Sequence, residues 1–411
     1  MHSPTTPFLS AASPAERRAL LASTLGWMLD GMDVTLYAMV IGELLRELQL
    51  TTGHAGLLAS ITLIASAAGG ILFGIGADRR GRRRALMASI LVYSVFTAAC
   101  GFSRTVFELA VFRFLLGLGM GGELATGAAL VAETWRPEHR AKALGLMQSG
   151  FAIGYALAAA VAALVLPRWG WRAVFFVGIL PALVTLWIRQ GVEESPLWLA
   201  RESRARDTPS PLRNLLAAPY RSFVLITLLM NSAALFAWWG LFTWIPPYLA
   251  LPVKQGGRGL TIAASSLWII VMQAGMWLGY VSFGFISDAL GRKKTYVAYL
   301  LLAAALVPFY ARAEAAWALL ILGPLLAFFG TGHFTGFGVI TSELFPTSFR
   351  ASAMGLTYNF GRALSAAAPW VLGTLAAHHS LSSAFWVSGL AFLIAGLIGL
   401  GIPETRGRSL G

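Results

Sequence analysis

Apolar runs long enough to cross a bilayer recur twelve times along this chain, and they constrain its fold more than any motif does. A membrane-spanning helix needs about 20 mostly apolar residues. Hydropathy places such runs at 22–45, 55–77, 85–103, 106–132, 142–166, 172–190, 221–250, 264–287, 294–311, 315–341, 352–377 and 382–402. Lipid offers backbone amides no hydrogen-bond partner, so runs of this length span as helices. Of 411 residues, 57% are hydrophobic and only 12% charged, against about 25% charged in a soluble domain. A soluble enzyme is excluded, and the expected fold is an all-α membrane protein.

An even number of spans places both termini on one side. Among the 31 Lys and Arg, 22 fall in loops on the terminal side and 7 on the opposite side. Arg113 and Arg362 lie inside spans. Basic loops stay cytoplasmic, so both termini are expected in the cytoplasm, with the protein in the cell (inner) membrane. The same count absorbs the net charge of +13, and no nucleic-acid partner is implied. Cys100 is the single cysteine, which excludes a disulfide framework. The first 20 residues are polar and carry Pro4, Pro7 and Pro14, with no apolar signal segment.

The chain also repeats itself. Asp78-Arg79-Arg80-Gly81-Arg82-Arg83 returns 210 residues later as Asp288-Ala289-Leu290-Gly291-Arg292-Lys293. Glu133, Arg140 and Gly145 return as Glu343, Arg350 and Gly355, and Glu194-Ser195 as Glu404-Thr405, at the same offset. Three matches at one spacing imply two parallel six-helix pseudo-repeats. The expected organisation is a tail (1–20), an N-terminal bundle (21–190), a cytoplasmic linker (191–220), a C-terminal bundle (221–402) and a second tail (403–411). Parallel halves with a site between them at mid-membrane are a transporter architecture.

The first span carries two carboxylates, Asp30 and Asp33. An acid at a span's centre costs roughly 2.5–3.5 kcal/mol on insertion scales. Residues three apart share one helix face, so the pair looks at protein or water. It reads as a proton relay, or as a structural pair satisfied by Arg113, and the two readings are compatible. Arg113 lies roughly 12 Å from the outer end of helix four at 1.5 Å per residue. Glu123, about 15 Å further along at that rise, joins the proton-coupling candidates. Its repeat-equivalent, His333, sits among glycines; it is either a cavity residue or a packed one.

Arg362 lies about 18 Å into helix eleven, near mid-membrane. Its fork of donors suits two-pronged carboxylate binding, so it is the expected anchor for an anionic substrate. Tyr358 and Asn359 share its face. Asn231, Trp238 and Gln273 complete the expected substrate site. Pro246 and Pro247 are expected to break the outer end of helix seven, and Trp244 reads as an interfacial anchor. No metal-ligand cluster, nucleophile motif or phosphate loop is present, so no enzyme, metal or cofactor is implied. The run Gly117-Leu118-Gly119-Met120-Gly121-Gly122 lies within a span and reads as helix packing.

Gly74-x-x-x-Asp78-Arg79-x-Gly81-Arg82-Arg83 and its echo at 284–294 resemble the loop signature of the major facilitator superfamily. Arg113-x-x-x-Gly117-x-Gly119 resembles the fourth-helix motif of its proton-coupled members. Glu193-Glu194-Ser195-Pro196-Leu197-Trp198, Glu343-Leu344-Phe345-Pro346-Thr347 and Pro403-Glu404-Thr405-Arg406-Gly407 resemble elements of sugar and organic-acid porters. Asp30-Gly31-x-Asp33 is most similar to the sialate/lactate and aromatic-acid:proton symporters, although the short central loop argues against sialate. The resemblance implies a monomeric symporter of a proton and a small organic anion in the lipid bilayer. The alternative is a proton-coupled sugar porter or drug/proton antiporter. It also implies a cytoplasmic latch built from Asp78, Arg79, Gly81, Arg82, Glu133 and Arg140, repeated as Asp288, Gly291, Arg292, Glu343 and Arg350.

Overall fold

The computed structural model describes residues 12–195, 198–199, 220–346 and 350–406. The side chains of Asp78, Arg140 and Arg350 lie outside the described residues, as does most of the 191–220 linker. In chain order the helices are α1 (Pro14–Glu47), α2 (Thr52–Arg80), α3 (Arg82–Cys100), α4 (Val106–Thr134), α5 (Pro137–Val177), α6 (Pro181–Gly191), α7 (Tyr220–Ala250), α8 (Ile262–Leu290), α9 (Arg292–Arg312), α10 (Ala316–Leu344), α11 (Arg350–Ser365), α12 (Ala368–His378) and α13 (Leu381–Gly399). Among the described residues, nine helical stretches are long and apolar enough to cross a membrane.

Twelve spans result once the irregularities are read. Gly170, at φ +73°, turns α5 back on itself, so one continuous assignment holds the fifth span and the start of the sixth. Helices α11 and α12 are two halves of the eleventh span, parted at Ala366–Ala367. Helix α1 starts well before its hydropathy boundary. Pro14 opens it, the Ser13 hydroxyl accepts the Glu16 amide at 3.2 Å, and the Glu16 carboxylate accepts the Ser13 amide at 2.7 Å. This reciprocal cap makes helix of residues 14–20, which hydropathy leaves in the tail.

The paired loops explain their glycines. Gly81 and Gly291 close α2 and α8 at φ +100° and +104°, a region L side chains rarely adopt. A Cβ at either position would also strike a carboxylate, Glu194 at 2.2 Å or Glu404 at 2.6 Å.

Helix α7 corrects one expectation, since it runs unbroken through Pro246 and Pro247 to Ala250. A proline deprives the carbonyl four residues earlier of its partner. For Pro246 that carbonyl is Phe242, and the Tyr155 hydroxyl of α5 donates to it at 2.6 Å. The lost bond is replaced from the other half, and the helix persists. Trp244 corrects a second. It is fully buried and donates from Nε1 to the Pro369 carbonyl at 3.0 Å, beside the break in the eleventh span.

The halves meet along two seams, α2 against α11 and α12, and α5 against α8, with α1 touching α7 between them. On the face opposite the termini, hereafter the outer face, α2 and α12 are in backbone contact. A Cβ on Gly56 would lie 2.3 Å from the Pro369 carbonyl, and one on Gly373 would lie 2.4 Å from that of Thr52. Thr52 donates to the Gly373 carbonyl at 2.7 Å, and the Trp370 amide to Ser60 at 3.2 Å. Toward the terminal face, Gly74, Gly76, Gly145, Gly284, Gly338 and Gly355 have no atom within 4 Å of a built Cβ. The molecule is sealed outside and splayed toward its termini.

Candidate functional site

The packing of α1 on α5 brings the acids to the centre. Gly31 and Gly154 let these helices touch; a Cβ on Gly154 would lie 1.8 Å from the Met28 carbonyl. Asp30 and Asp33 are each 1% exposed. The Thr97 hydroxyl stands 3.0 Å from Asp33 Oδ2 and 2.8 Å from the Tyr93 carbonyl. It carries one proton. An ionised Asp33 takes that proton; a protonated Asp33 donates to the Thr97 oxygen while Thr97 turns to the Tyr93 carbonyl. The site thus accommodates both protonation states without rearrangement.

Glu123 completes an acidic cluster. It is fully buried on α4, with neither carboxylate oxygen hydrogen-bonded. Its Oε1 fills the notch left by Gly26 of α1, where a Cβ would come within 2.4 Å. Tyr93, whose hydroxyl donates to the Gly26 carbonyl at 3.3 Å, lies within electrostatic reach of Asp30, Asp33 and Glu123 together.

Across the seam stands Arg362, 3% exposed, with Nε and Nη2 unpartnered. Asp30, Glu123 and Tyr358 are within its electrostatic reach, but it makes no ion pair among the described residues. Nε and Nη2 form one edge of the guanidinium, the edge that meets a carboxylate two-pronged. Burial of an unpaired charge is costly, and a small anion between Arg362 and the α1 face would relieve it.

Arg113 stands apart from this group. Its guanidinium lies 3.6 Å over the Tyr37 ring, and Nε donates to the Leu58 carbonyl at 3.0 Å. It pairs with neither aspartate, contrary to the structural-pair reading, because Tyr37 and α2 hold it one turn further out.

An aromatic wall crosses the seam beside the charges. Phe151 of α5 contacts Trp27 and Trp238 with ring centroids 5.5 and 5.6 Å apart. Trp238 meets Phe334 at 5.5 Å, which meets Tyr280 at 6.0 Å. Trp238 is anchored by its Nε1 donating to Thr331 at 3.2 Å. Gln273, 2% exposed, has both amide atoms unpartnered. His333 is buried and stacked on Phe334 at 4.4 Å, so it packs into the wall. Asn231 is occupied with the Thr357 carbonyl at 3.3 Å. Asn359 donates to the Gly355 carbonyl at 3.0 Å and presents its oxygen toward Gly70 of α2; it belongs to the seam.

Tyr93, Thr97, Phe151 and Phe334 were not singled out from sequence. A hydroxyl-bearing residue inside span three was a usable signal for the first two. Nothing in the local pattern marks the two phenylalanines among 25 in the chain.

The latch residues form two matching networks, each within one half. Arg82 binds Glu133, with Nη2 at 2.9 Å, and Ser195 donates to the same carboxylate at 2.6 Å. The Arg82 amide donates to Glu194 at 2.8 Å. In the second half Arg292 binds Glu343 at 3.2 Å, Thr405 donates to Glu343 at 2.5 Å, and the Arg292 amide donates to Glu404 at 2.8 Å. Arg292 also pairs with Asp288. Arg83 donates to the Val192 carbonyl at 3.0 Å, and Arg79 is exposed.

Parallel halves, a two-seam interface and buried charges facing each other at mid-membrane define a multi-pass membrane transporter rather than an enzyme. The family model of the Major Facilitator Superfamily matches residues 24–282 and 248–409, and the chain belongs to that superfamily. It is 31% identical over 392 residues to the cis,cis-muconate transport protein of Acinetobacter baylyi, covering 92% of each chain. It is 30% identical over 407 residues to the sialic acid transporter NanX of Escherichia coli, covering 97% of each. These relatives fit the aromatic-acid and sialate group. Among solved structures, the partially occluded, inward-open xylose transporter XylE of Escherichia coli superposes with a TM-score of 0.78 at 20% identity, over 97% of this chain and 100% of that one.

Proposed function

We propose that this protein is a secondary active importer that carries a small organic monocarboxylate together with a proton, by alternating access between its two halves. The observation that carries the reading is the buried, unpartnered Nε/Nη2 edge of Arg362, a residue within electrostatic reach of Asp30 and Glu123. The substrate carboxylate takes that edge. The proton is held within the Asp30/Asp33/Glu123 group, where Thr97 serves Asp33 in either state and Tyr93 touches all three fields. The aromatic wall receives the body of the substrate, which favours flat or aromatic acids, and the acidic names of the two relatives support the class.

The 22-to-7 bias of basic residues supports cytoplasmic termini, and on that orientation the splayed face is the cytoplasmic one and the sealed face the outer one. The paired networks around Arg82 and Arg292 brace each half and close the inner face in the opposite state. One proton with one monoanion is electroneutral. The drive is then the pH gradient, about 1.36 kcal/mol per unit.

The test is uptake of radiolabelled benzoate into proteoliposomes under an imposed pH gradient. Arg362→Lys keeps the charge but loses the fork, and uptake is expected to fall at least about a hundredfold, the scale of two charge-assisted hydrogen bonds. Uptake driven by voltage alone sinks the electroneutral scheme. D-xylose uptake that survives Arg362→Lys would instead favour a sugar porter.

A further inference from the structure

One turn outward of the aspartates lies a narrow slot that the mechanism above leaves without a role. Its walls are Tyr37, Tyr155, Trp238, Trp239 and Phe242, and its only charged lining group is Arg113. Arg113 is 1% exposed, and its Nη1 has no hydrogen-bond partner. The other guanidinium contacts aim it. Nε is fixed on the Leu58 carbonyl, and the plane rests on Tyr37. A buried cation with a free donor, set among five aromatic rings from both halves, is chemically a site for a flat carboxylate.

The slot is narrow because the outer seal has drawn its walls together. Tyr155 of one half donates to the Phe242 carbonyl of the other at 2.6 Å, and Phe151 of the first half meets Trp239 of the second edge to face at 6.5 Å. Those contacts cross the seam that must part for the outer face to open. When it parts, the rings separate and Arg113 Nη1 faces the entry path. Because α4 descends from the outer face, an anion entering there reaches Arg113 before Arg362.

We propose that Arg113 and the surrounding rings form a second, outer subsite for the carboxylate of a flat organic acid, open only when the outer face is open. Closure collapses this subsite and passes the anion inward to Arg362. The proposal rests on the transporter reading above but not on the proton assignment, and it gives Arg113 a substrate role.

The test uses the full-length protein in nanodiscs, titrated with benzoate by calorimetry, with benzamide as the uncharged control. Gly56→Leu places a side chain where a Cβ already lies 2.3 Å from the Pro369 carbonyl, and so wedges the outer seam open. In that background Arg113→Gln is expected to weaken benzoate binding about tenfold or more, the scale of one hydrogen bond to a charged group. Benzamide binding stays unchanged. Without the wedge, Arg113→Gln leaves benzoate affinity as it was, whereas Arg362→Gln lowers it. Equal benzoate affinity with and without Arg113 in the wedged protein overturns the subsite, and so does an absence of saturable benzoate binding there. An Arg362→Gln protein that binds normally without the wedge overturns the central site instead. Should either variant fail to fold, Gly373→Leu, whose Cβ would meet the Thr52 carbonyl at 2.4 Å, replaces the wedge. Trp239→Ala likewise replaces the Arg113 change; it removes a wall rather than the charge, so benzoate and benzamide binding should both weaken in the wedged protein, and unchanged benzoate affinity overturns the subsite.

Discussion

The two halves agree at the terminal face and disagree at the centre. Arg82, Glu133, Glu194 and Ser195 of the first half reappear as Arg292, Glu343, Glu404 and Thr405, with the same donors meeting the same acceptors. At mid-membrane the equivalences dissolve. Asp30 and Asp33 correspond to Gly240 and Thr243, Glu123 to His333, Tyr93 to Ala303, Arg113 to Gly323, and Phe151-Ala152 to Gly361-Arg362. A loop network that braces a half is needed once per half. On the proposed function, a cavity that holds an anion and a proton at once needs its acids on one wall and its cation on the other. Duplication set the frame, and the cavity kept only what an asymmetric cargo requires.

The largest effects should follow from making the two walls alike. Asp30→Asn and Asp33→Asn each remove a carboxylate the second half lacks. Each is expected to abolish accumulation of benzoate against its gradient in proteoliposomes, a loss of at least about a hundredfold for a residue acting in the coupled step. Counterflow exchange of preloaded benzoate, which needs no net proton movement, should persist. If one variant still accumulates substrate, the proton resides on the other acid or on Glu123.

Next in size come substitutions in the duplicated networks, which should give matched rather than opposite phenotypes. Arg82→Ala strands Glu133 in a largely buried place; the two side chains are 7% and 19% exposed. Removing one partner of a buried pair costs 3–5 kcal/mol, less where solvent reaches it, so about 2 kcal/mol of stability is expected. Arg292→Ala should cost about as much or slightly less, since Arg292 is 15% exposed. Thermal unfolding in detergent measures both. A loss confined to one half means the networks only look alike. Gly81→Ala and Gly291→Ala should each cost about 1–3 kcal/mol from backbone strain at positive φ, again in parallel, with the carboxylate of Glu194 or Glu404 pushed aside.

This split also explains what sequence could and could not convey. Span number, the repeat and the buried charges are one-dimensional features, set by run length, offset and residue type, and the structure carries all of them. Contacts between helices are not. Helix α7 survives Pro246 because a tyrosine 91 positions earlier donates to the freed Phe242 carbonyl, and no local rule contains that pairing. Trp244 reads as an interfacial anchor until the broken eleventh span offers it the Pro369 carbonyl. Arg113 has the right depth to meet the aspartates, yet depth does not say which way a side chain leaves its helix; Tyr37 and Leu58 decide it. Phe151 and Phe334 join the wall through tertiary placement alone.

The smallest expected effect tests a brace that only the first half has. Glu16, at the start of α1, accepts from Arg136 Nε and backbone N–H at 3.2 Å, and the Trp135 indole donates to its carbonyl at 2.8 Å. The equivalents of Glu16 and Arg136 are Ile226 and Pro346, so the second half cannot copy it. Burial acts to raise the Glu16 pKa, but the Arg136 side chain and the Ser13 and Arg136 amides outweigh it and hold the carboxyl near about 2, below its ordinary 4.5. A carboxyl depressed in the folded state contributes stability that is fully present above its unfolded value and is lost as pH falls through the folded one. Melting temperature should therefore decline between pH 4.5 and 2 more steeply in the native protein than in Glu16→Gln, and the two curves should converge at the acid end. The gap between the curves at neutral pH is the contribution of a tie absent from the second half. Parallel curves at all pH values would mean Glu16 holds α1 as a helix cap and not by its charge.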